Sequence, residues 1–266
     1  MDSDSHSTSE QIPPARLLLG NEAIVAGARA ARVGFASGYP GTPASEIGDG
    51  FAAIAQSGEV VQEYSVNEKI ALEVAHAAAL SGVRSITSMK HLGLNVAADP
   101  AATMPYVGVG AGLLIVSAGD PGCHTSPNEQ DQRQLAKAWH MPCIDPDTPQ
   151  AAHDMARDAF ALSEACNLPV LMRVTTRICH ARAPVRIDPP RKSGAPADFP
   201  REASRLCPLP SNARRMRGEI EGWLATAQEW AERPSFARTW SPQSQTEGEE
   251  PLLLISSGAP AWLLRD

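Results

Sequence analysis

A carboxylate lies at the start of a long helical pattern in this sequence. Residues 61–82 read VQEYSVNEKIALEVAHAAALSG, and apolar residues recur at helical spacing from Val66 to Leu80 without an interrupting Pro or Gly. Glu68 is therefore predicted in the first turn of a helix, directly after a short strand-like run. One interpretation is a capping box, because Ser65-x-x-Glu68 is the spacing in which Ser and Glu satisfy each other's backbone amides. The other is a catalytic acid at the helix start.

Three further segments place polar side chains beside Gly and Pro. They read GYPGTPASE at 38–46, SMKHLGLNVAADP at 88–100 and GDPGCHTSPNEQDQR at 119–133. Each follows an apolar run and leads toward a helix. In the first segment, Thr42 is predicted to cap a helix that begins at Pro43, because Pro is favoured at the first helical position. Lys90, His91 and Asn95 are predicted to form a polar loop before the next apolar segment.

The elements that must position these side chains alternate along the chain. Short apolar runs at 17–19, 35–39, 83–89, 112–118, 142–145 and 169–174 alternate with helical patterns, among them 23–31, 43–56 and the clearest one, 149–167. This alternation predicts an α/β fold, a three-layer doubly wound parallel sheet covered by helices on both faces. Ligands of such sheets lie beyond the carboxyl ends of the strands, so we expect the three polar segments to converge there.

Composition excludes several classes of protein. A chain of 266 residues with 43% hydrophobic residues can bury a substantial core. The net charge of −7 argues against a nucleic-acid binder, which would show a basic face. No apolar run reaches the roughly 20 residues of a membrane span. The first ten residues lack the basic and apolar regions of a signal peptide. We therefore expect a cytoplasmic protein without membrane contact.

The cysteines predict neither a disulfide framework nor a metal centre. There are five of them, widely spaced and odd in number. We therefore expect no zinc site and no iron–sulfur cluster in this chain.

Changes in Pro content and polarity along the chain predict the domain organisation. Residues 1–14 are a polar, disordered tail, and 15–186 form the α/β domain. From Pro184 the composition changes, and residues 190–217 hold five Pro and seven Lys or Arg against two Asp or Glu. Residues 187–250 are predicted as a linker or arm with one helix at 217–232. Residues 251–258, PLLLISSG, resemble the first strand and turn of a second α/β domain, which stops at Asp266.

Taken together, the four motifs resemble the amino-terminal half of the large subunit of 2-oxoacid:ferredoxin oxidoreductases, and among them the indolepyruvate type, alpha subunit. The resemblance is strong over residues 17–186 and weaker to the end of the chain. It implies that residues 15–186 are the pyrimidine-binding domain of a thiamine diphosphate enzyme. It also implies that residues 251–266 are the truncated start of a transketolase C-terminal-like domain.

The resemblance assigns the cofactor contacts residue by residue. Glu68 matches the Glu that binds the pyrimidine N1′ and favours the imino tautomer, whose nitrogen takes the proton from the thiazolium C2. Pro40 and Thr42 match the turn beside the pyrimidine, and Asn95 matches a further cofactor contact.

The same resemblance assigns side chains to the substrate. Thr42 is expected to donate a hydrogen bond to the carboxylate of the substrate. His91, with a titration range suited to proton transfer, and His124 match polar family segments. Arg133 is the cation chosen for that carboxylate, because a guanidinium binds a carboxylate through two hydrogen bonds. A structural role for the histidines and a surface salt bridge for Arg133 remain alternatives.

No metal site is predicted in this chain. Gly48-Asp49-Gly50 matches the opening of the family's diphosphate motif, but it lies within a predicted helix. Asn67 follows too soon, and Asn95 too late, to complete that motif. Mg²⁺ and the diphosphate are therefore expected on a partner domain. Iron–sulfur clusters are expected only in missing domains or partners.

The predicted function is oxidative decarboxylation of a 2-oxoacid, indolepyruvate or another arylpyruvate, to an acyl-CoA with ferredoxin as electron acceptor. This chain would supply the pyrimidine-activating half. Expected partners are a diphosphate-binding domain or subunit, a beta subunit, ferredoxin and CoA, in a homo- or hetero-oligomer. Two alternatives stay open: a subunit of a split non-oxidative thiamine-dependent decarboxylase, and a noncatalytic truncated remnant that binds partner chains.

Overall fold

A computed structural model describes residues 14–190, 198–199, 201–234, 236–237 and 254–263. In chain order the strands are β1 (Ala15–Leu19), β2 (Phe35–Gly38), β3 (Val61–Tyr64), β4 (Ser85–Lys90), β5 (Leu113–Gly119), β6 (Cys143–Ile144), β7 (Val170–Thr175) and β8 (Arg182–Arg186). The helices are α1 (Gly20–Ala30), α2 (Ser45–Ala55), α3 (Glu68–Leu80), α4 (His91–Val96), α5 (Ala98–Val107), α6 (Gln132–Ala138), α7 (Pro149–Cys166), α8 (Thr176–Cys179), α9 (Ala203–Leu206), α10 (Pro210–Ala231) and α11 (Ala259–Leu263).

The central sheet confirms the predicted doubly wound architecture. Its strand order is β3-β2-β4-β5-β7-β6, and every neighbouring pair is parallel. From β2 the chain first turns outward to β3 and then returns to the other side of β2 to form β4. The order reverses at this point, so the loops after β2 and β4 flank the crevice where ligands of such sheets bind.

Both faces of the sheet are buried, because helices cover each of them. On β5, Leu114 and Val116 belong to the core beneath α1, α2 and α7. Leu113 and Ile115 belong to the core beneath α3, α4, α5 and α6. Alternate residues of one strand thus enter opposite cores, which explains the near-continuous apolar runs in the sequence.

Helices α1 and α7 pack with their backbones unusually close together. A Cβ atom at Gly27 would lie 2.2 Å from the carbonyl oxygen of His153. Helix α7 has clear end signals, since the Thr148 hydroxyl accepts a hydrogen bond from the amide of Ala151 at 3.1 Å and Pro149 follows at the first position. Asn167 ends it with a φ of 51°. Helices α1 and α7 thus make extensive contact with each other on the face of the sheet that α1, α2 and α7 cover.

The first apolar run does not join the central sheet. Strand β1 pairs with β8 in an antiparallel two-stranded ribbon, with Ala15 opposite Arg186 and Leu19 opposite Arg182. Leu17 is 64% exposed, and this pattern suits a ribbon with one open face better than a strand covered on both.

The segment after residue 190 contains more packed helix than its Pro-rich composition predicts. The helix predicted at 217–232 begins at Pro210, which occupies the first helical turn where a missing amide costs little. Met216 and Ile220 of α10 are buried, and Trp223 packs against the core under α7. Leu224 lines a cavity together with Ile144 of β6, so α10 lies along the edge of the sheet formed by β6.

Some predicted segments lie outside the described residues, namely 1–13 of the tail, 241–250 and 251–253. Residues 254–257, predicted as strand, have no regular secondary structure, and α11 follows Gly258. The division of the chain into domains stays a prediction. Within the described part of the chain, every helix is too short or too polar to cross a membrane.

Replacing Ile220 by Ala is expected to lower the free energy of unfolding by about 2–5 kcal/mol, because the side chain is completely buried between α10 and the α/β core. Glu229→Ala, on the exposed side of the same helix, is the matched control and should change it by less than about 0.5 kcal/mol. Urea unfolding followed by circular dichroism measures both. Equal effects of the two substitutions would show that α10 does not pack as described.

Candidate functional site

Four polar segments meet at the carboxyl edge of the central sheet. The loop after β2 packs directly on the residue that ends β4, since a Cβ atom at Gly41 would lie 3.1 Å from Cβ of Lys90. Glu68 follows β3 and begins α3, and α4 begins immediately after Lys90. The crevice at the reversal of strand order is therefore lined by the three segments in which Thr42, Glu68 and Lys90 lie.

Glu68 lies half-buried against the backbone of α4. A Cβ atom at Gly93 would lie 2.4 Å from Cγ and 2.5 Å from Oε1 of Glu68, so only glycine leaves room for this carboxylate. Within the described part of the chain, the Glu68 side chain has neither a hydrogen-bond donor nor an ion-pair partner. Its oxygens remain available to a ligand in the crevice.

The capping-box interpretation of Glu68 is wrong. Asn67 caps α3, and its side-chain oxygen accepts a hydrogen bond from the amide of Ile70 at 3.0 Å. The Ser65 hydroxyl instead donates to Glu63 Oε1 at 2.9 Å. The helix thus begins two residues later than the Ser-based spacing requires, and Asn67 caps the amide of Ile70 where Ser65 would have capped that of Glu68.

The predicted cap at Thr42 is also wrong. Helix α2 begins at Ser45 with Ala44 as its N-cap, and the peptide bond between Thr42 and Pro43 is cis. Pro43 is therefore not the first residue of the helix. Both Pro40 and Thr42 are exposed, in the loop beside Lys90. Thr42 therefore has no capping role, and it is exposed in the loop that follows β2.

Lys90 and His91 connect α4 to the loop at residues 120–131. Lys90 is the N-cap of α4, so the predicted polar loop is a short helix instead. The Lys90 ammonium donates to the Thr125 carbonyl at 2.8 Å. His91 is fully buried, and its Nε2 donates to the Asn128 carbonyl at 3.0 Å, because a carbonyl oxygen can only accept. Its Nδ1 is buried and finds no partner among the described residues.

Asn95 takes no part in the contacts that Lys90 and His91 make with the loop at residues 120–131. It is exposed near the end of α4, two residues after Gly93. The structure therefore places it on the helix that borders Glu68 but leaves its side chain open to solvent.

Asp120, which is only 2% exposed, holds the loop at residues 120–131 in place through hydrogen bonds. Its Oδ2 accepts hydrogen bonds from the Thr125 amide at 2.7 Å and the Ser126 hydroxyl at 2.7 Å. Its Oδ1 accepts from the Thr176 hydroxyl at 3.2 Å, which joins the loop to the end of β7. These donors, the Thr125 amide above all, hold the pKa of Asp120 well below its usual range.

His124 and Arg133 line one cavity of about 560 Å³ beyond the ends of β5 and β7. Arg133 binds Asp131 through Nε at 2.8 Å and Nη2 at 3.0 Å, and this contact raises the pKa of the guanidinium. Its Nη1 donates to the Ser257 hydroxyl at 3.1 Å. The predicted site residues thus fall into two groups, one around Glu68 and one around Arg133, joined by the loop that Lys90 and His91 hold.

Some residues at this edge were not predicted from the sequence. Asp120 belongs to a segment already selected, but its burial depends on contacts made by the folded loop. Arg173 and Thr175 line the cavity with Arg133. The signal for Thr175 is the polar run TTR at 175–177 that follows the apolar strand, since strand ends carry the ligand sites of parallel sheets. Arg173 is the one charged residue within that strand, which is a signal in itself.

The rejected diphosphate motif is confirmed to lie within a helix. Asp49 is part of α2, and its Oδ1 accepts a hydrogen bond from the Tyr64 hydroxyl at 2.7 Å. Gly48 packs against the same tyrosine, since a Cβ atom there would lie 2.6 Å from its hydroxyl oxygen. The Gly-Asp-Gly run therefore joins α2 to β3.

Among the described residues, His153, Asp154 and Asp188 bring metal-ligating atoms within 4.8 Å of one another. Arg157 forms ion pairs with both carboxylates, so a guanidinium already supplies the positive charge at this point. We assign the group a structural role in holding the chain after β8 to α7.

Comparison with known proteins agrees with the motifs. Residues 26–206 match the family described as "Pyruvate flavodoxin/ferredoxin oxidoreductase, thiamine diP-bdg". Indolepyruvate oxidoreductase subunit IorA of Methanothermobacter marburgensis is 42% identical over 241 residues, which cover 91% of this chain and 38% of that protein. The subunit of the same name from Pyrococcus horikoshii is 47% identical over 169 residues, which cover 64% of this chain and 26% of that protein. The chain thus spans less than two fifths of the length of these curated relatives.

The fold is similar to that of a solved enzyme. The 2-oxoglutarate:ferredoxin oxidoreductase from Magnetococcus marinus aligns with a TM-score of 0.70 and 16% sequence identity, covering 83% of this chain and 46% of that one.

Asp120→Asn is expected to destabilise the protein near neutral pH, because an amide replaces a carboxylate that accepts several hydrogen bonds. The folded-state pKa of Asp120 is lowered, so its stabilising effect is present above the ordinary Asp pKa of about 3.9 and is lost as the pH falls through the lowered value. The difference in free energy of unfolding between wild type and variant should therefore shrink from pH 7 toward pH 2.5. Urea unfolding at several pH values measures it.

Asp99→Asn serves as the control, since Asp99 is exposed and pairs with Lys69 at the surface. A difference between wild type and Asp120→Asn that stays constant with pH would contradict the assigned role of this carboxylate.

Proposed function

Because this chain belongs to the thiamine diphosphate-binding family of pyruvate flavodoxin/ferredoxin oxidoreductases, we propose that it supplies the pyrimidine-activating part of a 2-oxoacid:ferredoxin oxidoreductase. We propose an arylpyruvate, indolepyruvate in particular, as the substrate, since relatives named indolepyruvate oxidoreductase are 42% and 47% identical to it. The resemblance inferred from the motifs is confirmed by these comparisons. The activity of a whole enzyme is proposed for the assembly, of which this chain is a part.

The observation that carries the proposal is the position of Glu68. Its carboxylate begins α3, lies against Gly93 and finds no partner among the described residues. A carboxylate without a protein donor, in the crevice where the strand order reverses, fits a ligand that presents an N–H group. The Glu68 carboxylate is therefore a suitable hydrogen-bond acceptor for a protonated pyrimidine nitrogen.

Thiamine diphosphate, when bound, would supply a thiazolium carbon acid whose conjugate base is a nucleophile toward 2-oxo groups. Glu68 would hold a proton between one of its oxygens and N1′ of the pyrimidine, and would thereby set the protonation state of the ring. Pro40 and Thr42, exposed beside Lys90, would border the pyrimidine, and Asn95 would contribute from α4. Gly93 keeps the space that Glu68 occupies.

The substrate would lie toward the second group of side chains. Thr42 would donate to its carboxylate from the crevice, and Arg133 would provide the positive charge from the cavity beyond β5 and β7. His124 lines the same cavity. His91 would act on the substrate only through the loop it holds, because its side chain is fully buried.

Other parts of the reaction would come from outside this chain. We propose that a diphosphate-binding domain or subunit holds the diphosphate and Mg²⁺, and that iron–sulfur clusters elsewhere in the assembly, with a beta subunit, pass electrons to ferredoxin. CoA would accept the acyl group. We propose the cytoplasm as the location of this homo- or hetero-oligomeric assembly.

Glu68→Gln is expected to slow hydrogen–deuterium exchange at the thiazolium C2 by about 10²-fold or more, because the amide cannot share a proton with N1′. The measurement uses this chain combined with the polypeptide that carries the diphosphate-binding domain, with thiamine diphosphate and Mg²⁺ present. Calorimetry on the same mixture measures cofactor affinity, which should change much less than the exchange rate.

Glu73→Gln is the matched control, because Glu73 is on the same helix with a partly exposed side chain. Cofactor binding without ferredoxin reduction would support the split non-oxidative decarboxylase. Failure of the mixture to bind thiamine diphosphate would sink the catalytic proposal and leave the noncatalytic remnant.

Gly93→Ala is expected to reduce C2 exchange while leaving the fold intact. The added methyl would meet the flexible end of Glu68 and displace the carboxylate, but Ala favours a helix over Gly by about 1 kcal/mol. The melting temperature should therefore be unchanged or higher. Gly218→Ala in α10, where no atom lies within 4 Å of the added carbon, controls for the helix effect. Unchanged exchange in Gly93→Ala would show that the position of Glu68 does not matter.

A further inference from the structure

We propose that Arg173 and Thr175, together with Arg133, form a binding site for an oxyanion, the carboxylate or phosphate group of a small organic molecule. Arg173 and Thr175 lie at the end of β7, and Arg133 lies in the first turn of α6. The proposal rests on the proposed function in taking the carboxylate of the substrate as an anion for this cavity, but binding is tested without thiamine diphosphate, so its failure can be told apart from failure of the role proposed for Glu68.

The charge of the cavity wall favours an anion. The residues that line the cavity of about 560 Å³ include three arginines, one histidine, two threonines and one serine, and no carboxylate is among them: Pro121, His124, Arg133, Arg173, Thr175, Thr176, Arg177, Ser257, Ala259, Pro260 and Leu263. A wall of guanidinium and hydroxyl donors without an acid is suited to oxyanions. A cation would find only repulsion there.

Two buried donors in this wall have no acceptor among the residues that the structure describes. The Thr175 hydroxyl is in a residue only 6% exposed and finds no hydrogen-bond partner among the described residues. The Nε of Arg173 is likewise buried and without an acceptor there. Buried donors of this kind are costly unless something pairs with them. Both belong to residues that line the cavity, so an anion bound in it can accept from them.

Nearby carboxylates pair with only some of the guanidinium donors of Arg173 and Arg133. Asp145 accepts from Nη1 of Arg173 at 2.8 Å, and Asp131 accepts from Nε and Nη2 of Arg133. These contacts leave Nε of Arg173 without an acceptor, while Arg133 keeps a side chain that is 46% exposed and therefore able to move. An incoming oxyanion can thus bind without displacing the buried ion pair at Asp145.

Further buried polar side chains lie beside the residues that line the cavity. Ser117 lies opposite Arg173 and Gly119 opposite Thr175 in the pairing of β5 with β7, so their side chains share one face of the sheet. A Cβ atom at Gly119 would lie 3.1 Å from Nε2 of Gln132, whose amide is fully buried and has no partner in the described part of the chain. A bound oxyanion with its waters would satisfy a polar interior that the protein itself does not satisfy.

The remaining wall indicates the kind of molecule that carries the oxyanion. Pro121, Ala259, Pro260 and Leu263 give the cavity an apolar side. An organic acid with an apolar body therefore suits this wall better than a free inorganic ion.

The test is calorimetric titration of the full chain, without thiamine diphosphate, with phenylpyruvate, coenzyme A and inorganic phosphate in separate arms. Saturable binding of phenylpyruvate is expected, with weaker binding of phosphate. Thr175→Val should lower the affinity roughly 3- to 10-fold by removing one hydrogen bond, and Arg133→Gln about 10-fold by removing a charged one. Arg182→Gln, on the exposed face of β8, is the matched control and should have no effect.

Each outcome decides the proposal. Thr175→Val removes a hydroxyl without a partner, so its melting temperature should equal or exceed that of the wild type, and a loss of binding cannot then be attributed to unfolding. Binding of coenzyme A or phosphate but not phenylpyruvate, with the same sensitivity to Thr175→Val, would uphold the site with a phosphate as its ligand. Absence of saturable binding in all arms, or binding that Thr175→Val leaves unchanged, would overturn it. Glu68→Gln must leave this binding intact, which separates the test from that of the proposed function.

Discussion

The parallel pairing of β2 with β4 is the constraint on which the candidate site depends. The chain leaves β2 on one side and returns on the other, so the loop containing Thr42 and the helix beginning at His91 must lie side by side. Helix α3, which leads from β3 to β4, then has its first residue next to α4. Glu68 reaches the crevice for this reason, and Gly93 allows its carboxylate to stay there.

A second set of contacts extends the site along the sheet edge. Lys90 and His91 bind carbonyl groups of the loop after β5, and Asp120 binds amide and hydroxyl groups of the same loop from beneath. These contacts keep twelve residues of irregular chain, 120–131, in one arrangement between β4 and β7. Arg133, at the start of α6, is positioned by that loop. The two groups of polar side chains are thus parts of one connected edge.

Much of the architecture is predictable from the sequence, because apolar runs and helical patterns report burial directly. Glu68 could be placed at a helix start from the periodicity after it. Its cap could not, because Ser65 and Asn67 are both good caps and the backbone decides between them. The pairing of β1 with β8 joins residues far apart in the chain, as does the contact of His91 with Asn128. Contacts of this kind depend on the folded structure and leave no local signal.

The two edges of the central sheet are protected in different ways, and this bears on how the chain behaves apart from its partners. Strand β6 is only two residues long and lines a cavity whose other wall includes α10, so it offers little to an incoming strand. Strand β3 at the other edge has four residues, of which Val61 is 64% exposed. Self-association of the isolated chain through strand pairing should therefore begin at β3, beside the crevice, and not at the two-residue edge formed by β6. The charge of Glu63 in β3 would limit such pairing between two copies of the chain.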